Sequence, residues 1–583
     1  MSDNTARGCD EFRCERIAKW SHSLSLIVSA CRCAEPKDCY FLDVITTALV
    51  LLLAIVVSGA ISRVIPLSLP LPLIQIVLGA GVGLSANLSV TLEPDIFFLL
   101  FLPPLLFLDG WRIPREELVR DRNIVIELAL GLVIFTVLGV GLFVHWLIPA
   151  MPLAVAFALA AVVSPTDPIA VSAIAQRVKI PSRMMHILEG ESLLNDASGL
   201  VCLRFAIAAA LTGTFSLYNA TLSFLWVAIG GLVIGIAVTW STTWITARLS
   251  QRYGEESGSQ ILVSILIPFA SYLLAEHLQC SGILAAVSAG VTMSVAESSG
   301  QALAITRMRR SAVWDMIAFA ANGTIFVLLG EQLPAILSRA DETVKLTGHE
   351  NPWWLLAYVV ALNLGLAGLR FLWVWVSLQL TLLRQRRRQN SPSWRIVAAF
   401  SVAGVRGALT LAGVLTLPFT MNDGTIFPGR DLAIFLAMGV IIVSLIAATL
   451  FLPPLLKNLE LPRETKQEED ENAARIAAAQ AAIAEVEAVQ HRLAEGRDDA
   501  DLYIEAAARV TEFYRRRLES QTGSDDPSST SRQAARIEMV LRLAAVRAER
   551  GEIFRKVRAR QLGSEIARKI VLELDLLEAR YLS

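Results

Sequence analysis

The sequence predicts an all-α polytopic membrane protein that carries a helical cytoplasmic tail. Of its 583 residues, 54% are hydrophobic and 18% are charged. Apolar runs of about 18 residues or more, long enough to cross a bilayer, recur along most of the chain. Two of these runs are interrupted by residues that break helices. The net charge of −1 gives no overall field that would favour nucleic acid as a partner.

We expect about thirteen transmembrane helices within a membrane domain of residues 41–455. The expected spans are 42–61, 70–88, 95–109, 124–149, 152–173, 190–213, 222–245, 259–279, 281–296, 312–330, 353–380, 394–418 and 430–455.

The loops between these spans differ in charge. One alternate set is rich in basic residues, at positions 63, 112–122, 177–183, 248–252, 307–310 and 384–395, whereas the other set carries little beyond Arg339 and Lys345, with Arg430 at a boundary. Because cytoplasmic loops are enriched in Lys and Arg, we expect the basic set in the cytoplasm. The tail then lies in the cytoplasm, and an odd number of spans places the N-terminus outside.

The two ends of the chain differ from the membrane domain. Residues 1–40 include five cysteines, and "CRCAEPKDC" loosely resembles a metal-binding spacing, but their odd number and the missing histidine partner favour a disordered leader or a misassigned start. Residues 456–583 are rich in Ala, Glu and Arg at helical spacing, with "SQTGSDDPSSTS" as a linker. We expect these residues to form a cytoplasmic helical tail.

The fifth span contains "SPTDP" at residues 164–168. Its two prolines remove two backbone donors, so a continuous helix is disfavoured. Irregular backbone at membrane depth is tolerated where it lines a cavity, and Thr166 and Asp167 lie at this break. The alternative is a simple proline kink in which Asp167 caps the second half-helix.

The sixth span begins with "EGESLLNDASGLV" at residues 189–201. Helical spacing places Glu191, Ser192, Asn195 and Asp196 on one polar stripe. Carboxylate, hydroxyl and amide oxygens suit a hard cation such as Na⁺. A polar first turn stabilised by the helix dipole explains Glu189 but not Asp196, which lies deeper.

Two arginines also lie within apolar spans. Arg406 lies in the twelfth span, "VAGVRGALTLAGVLTLP", whose glycines weaken the helix. Interrupted helices in corresponding positions of two halves indicate an inverted-repeat transporter, in which Arg406 would offset negative charge where half-helix ends meet. Arg370, in the eleventh span, needs a buried anion, and Glu191 is the candidate; a snorkelling arginine is the alternative.

Five segments together resemble the monovalent cation:proton antiporter family that includes bacterial NhaP-type and eukaryotic NHE exchangers. They are "SPTDPIAVSAI" (164–174), "EGESLLNDASGLV" (189–201), "LAEHLQCSGILAAVSAG" (274–290), "NGTIFVLLG" (322–330) and "GVRGALTLA" (404–412). The resemblance implies an NhaA-like antiporter fold with two crossed discontinuous helices, a dimerisation layer and a six-helix core. It also implies a homodimer in the bacterial inner (plasma) membrane that acts as a transporter, not an enzyme, and needs no cofactor beyond the transported ions.

The resemblance also implies a role for each residue of the two motifs. Asp196 is the carboxylate that binds the cation and carries the proton, with Ser192 and Thr166 as further ligands of Na⁺. The residues expected to organise this site are Asp167 and Asn195, which hold the unwound helices together, Glu191 and Arg370, which pair, and Arg406 of the second broken helix. Asp109, in "LPPLLFLDGW", is matched to an acidic residue near the cytoplasmic entrance.

The predicted mechanism is competition, because one dehydrated carboxylate holds either a proton or a cation. Asn195 stands where some relatives have a second aspartate, which predicts electroneutral one-for-one exchange. We expect Na⁺ to be the cation that is exchanged for protons across the plasma membrane, and a K⁺(Na⁺)/H⁺ antiporter of broader selectivity is the first alternative, because the residues do not separate Na⁺ from K⁺ or Li⁺. Two alternatives are a cation channel or sensor with a transporter-like core, and an intramembrane aspartyl protease, although neither Asp167 nor Asp196 lies in a Gly-x-Gly-Asp context.

Overall fold

The computed structural model describes most of the chain. The described residues are 36–64, 69–85, 94–113, 119–168, 171–172, 180, 182–212, 217–254, 256–297, 304–384, 394–421, 424–457, 465–495, 500–522, 529–559, 570–571 and 573–578. Cys9, Cys14, Cys31 and Cys33 lie outside these ranges, so the expectation for the leader stays a prediction. The chain divides into two compact units, Met1–Leu459 and Glu460–Ser583.

The described part of the first unit is built from helices. In chain order they are α1 (Pro36–Val64), α2 (Leu71–Ser85), α3 (Pro94–Arg112), α4 (Arg122–Leu147, with a π-helical stretch at Glu127–Leu132), α5 (Leu153–Val163), α6 (Ser182–Thr212), α7 (Leu217–Tyr253), α8 (Ser257–His277), α9 (Gly282–Glu297), α10 (Ala304–Ser338), α11 (Ala340–Lys345), α12 (Trp353–Arg384), α13 (Trp394–Val402), α14 (Ala408–Leu415) and α15 (Arg430–Leu456).

The predicted all-α membrane fold is confirmed. Within the described ranges the chain is helical apart from turns, loops and one isolated bridge between Thr420 and Ile426. Eight of the described helices are long and apolar enough to cross a membrane, and shorter apolar helices accompany them. Several helices extend beyond the predicted spans; α10, for example, covers Ala304–Ser338 where residues 312–330 were expected. The apolar run marks only the hydrocarbon-crossing part of such a helix, whose ends continue into the polar interface.

One set of helices, α4–α6 with α12–α15, packs into a group that we call the crossed-helix group. Its core is a large apolar cluster that includes Leu159, Leu362 and Leu436. Helix α5, "LAVAFALAAVV", is apolar on all sides and almost entirely buried, as expected for a helix surrounded by others. This burial positions the break that follows α5 deep inside the group.

The remaining long helices, α1–α3 with α7–α10, form a second group that we call the glycine-packed group. Its helices approach closely at glycines, as is common between membrane helices. A Cβ atom at Gly79 of α2 would lie 2.0 Å from the Val327 carbonyl oxygen of α10, and one at Gly290 of α9 would lie 2.0 Å from that of Phe107 on α3. The group therefore depends on direct backbone contact between helices.

The described part of the second unit contains three long helices: α16 (Thr465–Ala494), α17 (Ala500–Thr522) and α18 (Ser529–Arg558). Helices α16 and α17 pack against each other. Arg550 of α18 donates a hydrogen bond to Glu578 and forms an ion pair with Asp575 at 2.8 Å. The helical tail expected from composition is therefore present.

Candidate ion-binding site

The two interrupted helices meet inside the crossed-helix group. Helix α5 ends at Val163, and residues 164–167 are not helical; α13 ends at Val402, and α14 begins only at Ala408. The Asp167 backbone N–H donates a hydrogen bond of 2.7 Å to the Val405 carbonyl. The backbone groups released by one break are thus satisfied in part by the other, as irregular backbone at membrane depth requires.

Gly407 makes this crossing possible. A Cβ atom at that position would lie 1.7 Å from Oδ2 and 2.5 Å from Cβ of Asp167. Because real Cβ atoms do not approach other atoms so closely, the Asp167 side chain lies against bare backbone. The sequence indicated that Gly407 loosens the helix, but only the fold reveals the contact that demands glycine.

Arg406 lies near the C-terminal ends of α5 and α13, the helices that precede the two breaks. Its Nε donates a hydrogen bond of 2.9 Å to the carbonyl of Val163, the last residue of α5, and its Nη1 donates to the Gly404 carbonyl. Its backbone N–H donates to Ser444 Oγ of α15 at 3.2 Å. A buried guanidinium here binds carbonyls that a helix C-terminus leaves unpaired and offsets their partial negative charge.

Glu191 of α6 and Arg370 of α12 form a buried bidentate ion pair. Arg370 Nη1 donates to Glu191 Oε1 at 2.5 Å, and Nη2 donates to Oε2 at 2.7 Å. Arg370 Nε also donates to the Phe400 carbonyl of α13 at 2.9 Å. Both carboxylate oxygens of Glu191 are thus engaged by one guanidinium.

Thr166 connects the first break to α6. Its hydroxyl donates a hydrogen bond of 3.1 Å to Glu191 Oε1 and accepts one of 3.1 Å from Asn195 Nδ2. A hydroxyl has one donor and two acceptor lone pairs, so one lone pair of Thr166 Oγ1 is left for another partner.

A small cavity of about 50 Å³ lies beside the crossing. Asp196, Ser192, Thr166, Asp167 and Asp109 line it, between apolar walls that α3 and α14 supply. Ser192 and Thr166 are buried, Asp196 is half-buried, and Asp109 is exposed. Asp196 forms no hydrogen bond or ion pair with another residue that the structure describes.

The other predicted site residues lie outside the cavity lining. Glu191, Arg370, Asn195 and Arg406 hold the surrounding helices through the contacts above, whereas the residues grouped around Asp196 face the empty space. The cavity also contains a residue that the sequence interpretation missed: Thr410 of α14, whose side chain is buried. A hydroxyl three residues after Gly407, in an otherwise apolar half-helix, is the signal that could have indicated it.

Comparison with known proteins identifies the fold and the family. Residues 49–458 match the family described as "Sodium/hydrogen exchanger, transmembrane". The chain belongs to the sodium/hydrogen exchanger family. It is 40% identical over 546 residues to "Uncharacterized Na(+)/H(+) exchanger YjcE" of Escherichia coli K12, a match that covers 92% of this chain and 99% of that relative.

Two further comparisons involve proteins whose names state an activity. The "Sodium, potassium, lithium and rubidium/H(+) antiporter" of Bacillus pumilus is 42% identical over 418 residues, which cover 71% of this chain and 61% of that relative. The solved structure of the sodium proton antiporter MjNhaP1 from Methanocaldococcus jannaschii aligns with a TM-score of 0.54 at 20% identity, covering 72% of this chain and 99% of that one. This structural likeness supports the antiporter fold.

Family membership confirms several predictions. This exchanger-family chain is a multi-pass membrane protein, and it is a transporter and not an enzyme, so the intramembrane protease alternative is wrong. The roles of the site residues, the dimer and the membrane orientation stay predictions.

Proposed function

We propose that this chain exchanges Na⁺ for protons with Asp196 as the group that carries each ion in turn. One observation carries the proposal: Asp196 lines the cavity at the crossed breaks and has no hydrogen-bonding or ion-pair partner among the described residues, whereas Glu191 is bound by Arg370. A carboxylate held by two guanidinium bonds is a poor carrier, because releasing it would leave an unpaired buried charge.

The oxygen atoms for the cation would come from Asp196, Ser192 and Thr166, and Thr410 adds a hydroxyl to the same cavity. Carboxylate and hydroxyl oxygens suit a hard monovalent cation. Among the residues that the structure describes, no three His, Cys, Asp or Glu side chains are arranged to hold one metal ion.

Exchange follows from competition at Asp196. A cation and a proton neutralise the same carboxylate, so binding of one favours release of the other. The neighbouring Asn195 does not titrate and is hydrogen-bonded to Thr166. One titrating group per cation makes the exchange electroneutral. Asp109, exposed at the edge of the cavity, would serve the cytoplasmic entrance.

Transport also requires that the site open to either side of the membrane. The crossed-helix group would move against the glycine-packed group, which would form the contact in a homodimer. In the proposed orientation, the N-terminus is outside and the tail lies in the cytoplasm of a bacterial cell, with the protein in the plasma membrane. The arginine-rich alternate loops support this orientation.

A broader cation selectivity is a second candidate. It is favoured by the 42% identity to the Bacillus pumilus relative, whose name includes potassium, lithium and rubidium. On this alternative, Asp196 works in the same way while the neutral oxygens accept ions of several radii.

The test is dissipation of a pH gradient in proteoliposomes on addition of Na⁺, K⁺, Li⁺ or Rb⁺. We expect Na⁺ to dissipate the gradient with wild type and not with Asp196→Asn. The matched control is Asp315→Asn, which removes an exposed carboxylate that does not line the ion cavity and is expected to leave exchange intact. Exchange retained by Asp196→Asn would show that this residue is not the carrier, and equal responses to all four ions would favour the second candidate.

A further inference from the structure

A second cavity, of about 410 Å³, lies between the two helix groups. We call it the outer vestibule; its defining residues are Leu99, Ala197, Leu200, Arg204, Tyr272 and Glu276. In the proposed orientation, these residues lie in the extracellular halves of α3, α6 and α8. The vestibule is therefore on the other side of Asp196 from the cytoplasmic entrance proposed at Asp109.

The outer vestibule and the ion cavity follow each other along α6. Asp196 lines the ion cavity, and Ala197, the next residue, lines the vestibule. One apolar cluster supplies lining residues to both spaces: its buried Leu102 lines the ion cavity, its buried Ala197 and Ile283 line the vestibule, and Leu200 of the vestibule packs against it. The cluster draws its residues from both helix groups, so a cation that passed from the vestibule to Asp196 would cross packed apolar side chains and would need the groups to move apart there.

An ion pair crosses the vestibule from one group to the other. Arg204 Nη2 of α6 lies 3.4 Å from Glu276 Oε1 of α8, and the two side chains are 60% and 36% exposed. Glu276 Oε1 also accepts a hydrogen bond of 3.2 Å from the Gly282 N–H at the start of α9. Glu276 is thereby tied to two helices of the glycine-packed group, whereas Arg204 lies on the same helix as Asp196, eight residues further along.

We infer that the outer vestibule is the extracellular part of the ion pathway. Arg204 and Glu276 are positioning residues whose ion pair keeps the base of the vestibule closed. This inference rests on the proposed exchange at Asp196. Exposing Asp196 to the outside requires α6 to shift against α8 and α9, and that shift breaks an ion pair that spans the moving boundary. Exposed pairs are weak, so its loss should change the ratio of closed to open states by about two- to fivefold.

A second exposed ion pair provides a matched control. Arg112 of α3 pairs with Asp315 of α10, and both helices belong to the glycine-packed group. The pair joins two helices, as the Arg204–Glu276 pair does, but it does not span the boundary between the groups. Its removal should leave the opening of the vestibule unchanged.

The experiment measures access to the base of the vestibule. Leu200→Cys in a cysteine-free variant is labelled by a membrane-impermeant thiol reagent added outside right-side-out vesicles. Glu276→Gln keeps an oxygen acceptor for the Gly282 N–H and removes only the charge. We expect Glu276→Gln and Arg204→Gln each to raise the labelling rate about two- to fivefold, and Arg204→Glu with Glu276→Arg to return it towards the starting value.

Labelling that neither single substitution changes would overturn the inference, as would an equal rise with Arg112→Gln. Labelling only from the cytoplasmic side would also exclude an extracellular route. A second readout avoids cysteine substitution, because in the otherwise native chain Glu276→Gln should lower the external Na⁺ concentration for half-maximal exchange by the same factor.

The labelling result is independent of transport, since it can be repeated with Asp196→Asn present. Retained exchange in Asp196→Asn would refute the proposed carrier and leave a labelling difference standing. Unchanged labelling, together with loss of exchange in Asp196→Asn, would refute only the role of the vestibule.

Discussion

Arg370 and Glu191, on helices α12 and α6, are joined by two hydrogen bonds of 2.5 and 2.7 Å, with only 2% and 1% of the respective residues exposed. The pair links two helices that are far apart in sequence. Thr166, at the first helix break, donates a further hydrogen bond to the same Glu191 carboxylate. The pair therefore removes one carboxylate of the polar stripe from ion exchange and fixes α6 beside the crossing.

Breaking this pair should destabilise the protein more than removing it entirely. Arg370→Ala leaves Glu191 buried and unpaired, which should cost about 3–5 kcal/mol. The double variant Glu191→Gln with Arg370→Gln has no unpaired charge and should unfold at a temperature closer to that of wild type. Thermal unfolding of the purified protein in detergent tests both. A single variant as stable as wild type would contradict a structural role for the pair.

Gly407→Ala should disrupt the crossing of the broken helices. The added Cβ would overlap Asp167, and overpacking of this kind costs about 1–3 kcal/mol. Gly413→Ala is the matched control within α14, the half-helix that Gly407 directly precedes, because its Cβ would lie 3.4 Å from Val162, an ordinary contact. We expect thermal stability and exchange to fall for Gly407→Ala and to be maintained for Gly413→Ala. Equal behaviour of the two variants would argue against the close contact.

Exchange should not respond to membrane voltage. One carboxylate that alternates between one Na⁺ and one proton moves no net charge in a complete cycle. The initial rate in sealed proteoliposomes should therefore be the same with and without a valinomycin-imposed K⁺ diffusion potential. A rate that changes steadily with the imposed potential would require a second charged group in each cycle.

Protons should act as simple competitors of the cation. Lowering the pH on both sides should raise the Na⁺ concentration needed for half-maximal exchange, with a limiting slope of about tenfold per pH unit, because a single proton occupies the site. The maximal rate at saturating Na⁺ should change far less than the half-maximal concentration. A slope near a hundredfold per unit would indicate two protons and contradict a single carrier.

The tail should lose stability in acid through Glu578. The hydrogen bond from Arg550 holds the pKa of the Glu578 carboxyl below its ordinary value of 4.5. A lowered pKa in the folded state means that the pair stabilises the tail above pH 4.5 and that this stabilisation is lost as the pH falls below that value.

Amide hydrogen exchange of the full-length protein tests this expectation. At neutral pH, amides of α18 should be better protected in wild type than in Glu578→Gln. The difference should begin to shrink as the pH falls below the ordinary glutamate pKa of 4.5 and should disappear below the lowered pKa that Glu578 has in the folded tail. Comparing the two proteins at the same pH removes the intrinsic pH dependence of exchange. An undiminished difference in acid would assign the effect to something other than the charge of Glu578.

Several features of this protein are determined by local sequence. Apolar runs locate the membrane helices because a bilayer tolerates few charges over about 20 residues. The prolines of "SPTDP" and the glycines around Arg406 indicate the two breaks because they weaken or remove helical backbone bonding. The four-residue spacing of Ser192 and Asp196 places them on one helix face, independently of which other helices pack against that face.

Other features depend on which helices become neighbours. The sequence shows that Arg370 needs a buried anion, but the geometry that occupies both oxygens of Glu191 comes from the approach of α12 to α6. The need for glycine at position 407, the hydroxyl of Thr410 in the cavity and the Arg204–Glu276 pair all involve atoms from helices distant in sequence. Periodicity records the face of a single helix, whereas contacts across helices are decided by close packing of the whole fold.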